Sequence, residues 1–186
     1  MTEPAAPAQP ARPALSIRPA ATPAPPRAPR PPPVAGPWRL ATLMAAPHRL
    51  GFFLAMVVLL SASGWWLLVQ ADRAWSLLGL AAAVAPTVTH AVVMVFGFMP
   101  LFFSGFLFTA GPKWLHVQGY GTPRLLPPLA LQAAGWLLWL AGAQLGLGLA
   151  LAGLALACAG LAWMVGLFWR LIVASPAPDR VHATAI

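Results

Sequence analysis

The sequence predicts an all-α fold: a polytopic membrane helix bundle of four transmembrane helices behind a disordered N-terminal tail. Three observations predict it. Hydrophobic residues make up 60% of the 186 and charged residues only 8%, where a water-soluble chain carries about 25% charge. The mean hydropathy is +0.77. The charges fall outside four uncharged runs, each close to the roughly 20 residues needed to cross a hydrocarbon core about 30 Å thick.

Residues 1–37 form the tail. They are rich in Pro, Ala and Arg, and no aromatic residue precedes Trp38. Such a stretch cannot bury enough apolar surface to offset its ordering entropy, so it reads as disordered and partly polyproline II. No apolar segment of a secretory signal occurs in it. Its Arg12, Arg18, Arg27 and Arg30 face a single Glu3 and suit anionic lipid. A solvated extension without a partner accounts for them as well.

The membrane domain covers residues 38–174. Leu50–Val69 is the first expected span. Trp75–Ala85 is apolar but too short to cross, and is expected to form an interfacial or re-entrant helix that ends at Pro86. Val88–Ala110 is the second span, and Pro100 is expected to kink it by removing a backbone donor. Leu125–Leu140 and Leu145–Trp169 are the third and fourth, joined by a short turn at Ala141–Gln144. Pro127 and Pro128 are expected in the first turn of the third helix, where a missing N–H costs little. Residues 175–186 read as a cytoplasmic tail or as the start of a fifth helix beyond this chain.

With the N-terminus inside, ten cations (the four tail arginines, Arg39, Arg49, Lys113, Arg124, Arg170 and Arg180) lie on the cytoplasmic side and only Arg73 lies outside. The positive-inside rule therefore places both termini in the cytoplasm. The tryptophans are expected to form belts, with Trp65, Trp66, Trp75, Trp136 and Trp139 near the outer face and Trp38, Trp114 and Trp169 near the inner one. The net charge of +8 is thus explained by topology, and no nucleic-acid partner is implied.

The chemistry the chain can offer is narrow. No paired carboxylates occur in the spans, no hydrolase or nucleotide-binding motif is present, and Cys158 is the only cysteine, which excludes an internal disulfide. Imidazole and thioether remain, and both suit haem iron or copper. His90 is the leading candidate ligand, one turn inside the outer end of the second span. Met94 follows at i+4 on the same helical face, and Gly97, Leu101 and Gly105 continue that face. Small residues below a histidine would let a flat macrocycle or another helix approach. An interfacial histidine with a water partner and an ordinary apolar methionine fit the spacing too. His48, His116 and His182 fall at the opposite, cytoplasmic side, where headgroup contacts explain His48 and His116 equally well.

His90-Ala91, Met94, Phe96-Gly97-Phe98, Gly105-Phe106-Leu107, Thr109-Ala110, Pro112 and Trp114 resemble the signature helix of the NnrS family. Ala46-Pro47-His48-Arg49 and Ala177-Pro178-Asp179-Arg180 with His182 resemble its flanking pieces. The similarity spans about residues 46–183. Many members read His-Ala-His-Glu-Met where this chain has His90-Ala91-Val92-Val93-Met94, and members usually run to about twice this length, so this chain corresponds to an N-terminal portion. The resemblance implies a bacterial inner-membrane protein that binds haem and copper and is associated with denitrification and nitric oxide stress. It implies cofactor binding by His90 first, with His48 and His182 behind it, and Met94 as a second metal ligand beside His90. The lack of acid–base groups suits binding, sensing or maturation better than turnover. Partners expected are the lipid bilayer and either the helices of a missing C-terminal half or further copies of the chain. A cofactor-free structural or assembly protein is the alternative. A channel is disfavoured, since the spans hold no charge to line a hydrophilic path.

Overall fold

A computed structural model describes residues 39–76 and 78–176. The expected N-terminal tail, the post-span segment from residue 177 onward and His182 lie outside them. The described residues form a short 3-10 helix, Leu40–Ala45, followed by four long helices and no strand. We number them α1, Pro47–Trp75; α2, Pro86–Trp114; α3, Thr122–Leu145; and α4, Leu147–Ala174. Each is long and apolar enough to cross a membrane. Three run past the expected spans at both ends: 29 residues at 1.5 Å each give about 43 Å for α1 and α2, longer than the hydrocarbon core, which tilt and interfacial turns absorb.

The helices are tied to one another at both ends of the bundle. At one end the Ser175 hydroxyl donates to the Leu115 carbonyl, 2.7 Å, and the His48 amide donates to the Thr109 hydroxyl, 3.1 Å. At the other, the amides of Ala83 and Val84 donate to the Ala143 carbonyl, 2.8 and 3.2 Å. The Gln144 amide, oriented to satisfy both its atoms, donates to the Ala81 carbonyl and accepts from the Trp65 indole.

The segment between α1 and α2 corrects the sequence expectation. No interfacial helix forms over the described part of Trp75–Ala85; α1 runs through Trp75 and a loop follows. The cause is local. Ser76 is left-handed at φ 50°, and the Asp72 carboxylate accepts from the amides of Leu78, Gly79 and Leu80 at 2.5, 3.0 and 2.8 Å. Those amides, with the two bonded to Ala143, are the donors a helix there would have used. Pro86 then starts α2 in a position where proline is well tolerated.

The α3–α4 turn is also shorter than expected. Helix α3 continues through 141–144 to Leu145, and Gly146 alone reverses the chain. A matching stripe of small residues allows it. A Cβ added to Gly153 would lie 2.5 Å from the Trp139 backbone nitrogen, and one on Gly160 would lie 2.7 Å from that of Gln132. Gly135 and Gly142 meet the backbone at Ala157 and Ala150 in the same way. Backbones in contact gain dispersion energy over their whole length, which is how helices associate where lipid is as apolar as leucine. Helix α3 starts at Thr122, so Pro127 and Pro128 lie inside it, not in its first turn. Their missing donors take the helical i+4 partner from the carbonyls of Pro123 and Arg124, both close to the start of the helix.

Candidate functional site

Helix α2 is built in three parts. It is α-helical over Pro86–Val92, widens to a π-helix over Val93–Phe98, and returns to α-helix over Met99–Trp114. The expected disturbance at Pro100 therefore lies on its N-terminal side. Proline cannot donate to the Phe96 carbonyl four residues back, and an inserted residue upstream lets the ladder close around the gap. His90 stands in the turn just before this π segment, and Met94 stands within it.

His90 is half-buried. Its ring stacks on Trp66 of α1, with centroids 4.6 Å apart and an interplanar angle of 16°. Its Nδ1 is buried without a hydrogen-bond partner. Met94 packs against the hydrophobic core. The glycines expected to cradle a macrocycle are otherwise engaged. A Cβ on Gly97 would meet the Trp136 ring at 3.2 Å, and one on Gly105 would meet the Gly51 and His48 backbones at 3.1 and 3.3 Å. The stripe below His90 is thus filled by α1 and α3.

Trp136 and Trp139 correct a second expectation. Both are buried inside the bundle, at 4% and 6% exposure, and do not join a lipid-facing belt. Trp75, Trp114 and Trp169 are exposed at the helix ends, as a belt requires. The sequence carries no signal for this division, because Trp136 becomes core only when α2 presents Gly97 to it.

His48 is placed far from His90. Its amide donates to the Thr109 hydroxyl, its Nδ1 lies 3.4 Å from the same oxygen, and that hydroxyl donates to the Gly105 carbonyl at 2.9 Å. Thr109 is 19 residues beyond His90 on one helix, about 28 Å. One centre cannot take both histidines. His48 instead secures the crossing where α1 and α2 touch at Gly51 and Gly105. Its sequence signal was the pairing of Gly105 with Thr109 one turn later, read only as part of a family motif. His116 is exposed, at φ 54°, and ends α2.

These positions test what an NnrS-type cofactor would need. Copper held by three or more strong donors does not fit: among the described residues no group of three His, Cys, Asp or Glu side chains comes together. A haem laid on the Gly97–Gly105 stripe does not fit either, because protein fills it. His90 is the imidazole that would hold a haem iron, with its ring stacked on Trp66 along one face. The cavity between α2 and α4, about 650 Å³, is large enough for a macrocycle, but its lining includes Pro100, Phe103, Ser104 and Phe168 with Met164 as the one metal-binding side chain, and no histidine.

Comparison with known proteins supports one assignment. No match is found among curated proteins or among solved structures. The family described as NnrS protein matches residues 42–185, most of the chain and all four spans. The chain belongs to the NnrS family.

Proposed function

We propose that the protein binds haem through His90 in the bacterial inner membrane and serves the response to nitric oxide or related nitrogen oxides. The family match carries this reading. The position of His90 supports it, as an imidazole with a buried, unpartnered Nδ1 in an apolar helix. Haem, when bound, would supply an iron that takes small diatomic ligands. The chain's own contribution is to hold the imidazole by stacking on Trp66 and to keep water from its inner edge. Further helices or another copy of the chain would complete the surroundings of such a group. Met94 is the second donor of the copper variant of this reading, which needs ligands from outside the described residues. The bias of the cations supports a cytoplasmic location for the ends of α1 and α2 that carry His48 and Lys113. The role is binding, sensing or maturation, since paired acid–base groups are absent from the spans.

Iron, copper and haem analysis of the detergent-purified chain tests the proposal. Haem near one per chain or per dimer is expected, and a colourless, metal-free protein would contradict it. That second result would favour the other reading, a cofactor-free assembly protein. The extended α3–α4 interface supports that alternative, which requires a fixed partner to be recovered on gentle extraction.

A further inference from the structure

We propose that the cation-bearing end of the bundle holds a specific site for the headgroup of an anionic phospholipid. A cavity of about 620 Å³ opens there, between the start of α1, the end of α2 and the α2–α3 loop. Its walls are of two kinds. Met44, Pro47, Phe108 and Pro112 make an apolar side, and Lys113, Gln118 and Tyr120 make a polar one. A second cation stands at its rim: the Arg124 guanidinium lies 4.5 Å from the centroid of the Tyr120 ring, a contact that fixes the charge in place.

No described carboxylate neutralises this end. Asp72, the sole described acid, is at the opposite end, where three loop amides occupy it. Arg39, Arg49, Lys113, Arg124 and Arg170 therefore share the end with no acidic partner among the described residues. Topology alone requires cations near this surface, but it does not require a cavity with a cation in its wall and hydrocarbon beside it. That combination suits a ligand that carries a phosphate and an acyl body together. A phosphodiester next to Lys113 and Arg124 gains charge-assisted hydrogen bonds, while its glycerol and first methylenes cover the apolar wall. A free phosphate gains only the first of these.

The test is native mass spectrometry of the protein released from nanodiscs of phosphatidylcholine with phosphatidylglycerol. We expect retained phosphatidylglycerol on the wild type, and a loss of about fivefold in retention for each of Lys113→Ala and Arg124→Ala. Arg170→Ala removes an equally exposed cation from the same end but not from this cavity, and is expected to retain lipid as the wild type does. Lys113→Arg keeps the charge and should also retain it, which separates loss of charge from loss of fold. Equal retention of phosphatidylcholine would overturn the proposal. So would an Arg170→Ala loss as large as that of Lys113→Ala, which would mean general surface charge. Equal retention of inorganic phosphate by the lipid-free protein, lost in the same two variants, would assign the cavity to a soluble anion and overturn it too.

Discussion

The two halves of the bundle solve the packing problem in opposite ways. Helices α3 and α4 meet along a ladder of glycine and alanine, backbone against backbone, with one residue for a turn. Helices α1 and α2 touch closely at one crossing, Gly51 on Gly105, and elsewhere meet through rings: Phe52 stacks on Phe102 at 4.4 Å and Trp66 on His90 at 4.6 Å. The first pair leaves no room for a ligand. The second pair carries the π segment, both described span histidines and the long loop. A regular scaffold hairpin thus supports an irregular pair, and departures from regular helix concentrate at sites that do something other than pack.

The largest expected effect breaks the hairpin. Gly153→Leu forces side-chain atoms into the α3 backbone and should cost about 3 kcal/mol or more, seen as a large drop in melting temperature in detergent. Unchanged melting would mean that the ladder is not the scaffold. Next comes the crossing of the irregular pair. Thr109→Val keeps shape but removes the acceptor for the His48 amide, and should cost about 1–3 kcal/mol; urea or thermal unfolding reads it, and a neutral result would assign no role to His48 there. Gly166 sharpens the comparison with the opposite sign. A Cβ on it meets nothing within 4 Å, so Gly166→Ala should stabilise α4 by up to about 1 kcal/mol, and destabilisation there would show an unseen packing partner.

The sequence made some of this legible and left the rest obscure for identifiable reasons. The four spans were readable because charge and hydropathy are set by the bilayer, which acts on each segment separately. The loop after Trp75 was misread because apolar composition is silent about donors: Asp72 captures three amides that lie six to eight residues away. The hairpin turn was misplaced for a related reason. The turn expected at 141–144 is helix instead, and only the structure shows Ala150 opposite Gly142. His90 was legible as a candidate from its apolar setting. Its partner Trp66 was not, since nothing in the sequence says which of nine tryptophans a neighbouring helix will bring to it.

The smallest effect is confined to that loop. Asp72→Ala removes the acceptor of Leu78, Gly79 and Leu80, so hydrogen exchange at those three amides should accelerate while global melting stays unchanged. Protection that persists in the variant would mean that the loop is held by its bonds to Ala143 alone.

The central claim is that the irregular pair carries the cofactor through His90. Visible absorption spectra of the purified wild type, His90→Ala and His48→Ala test it most directly, each after exposure to haem under the same conditions. The account predicts a Soret band in the wild type and in His48→Ala that is lost in His90→Ala. A band that survives in His90→Ala, or that vanishes only in His48→Ala, would contradict it.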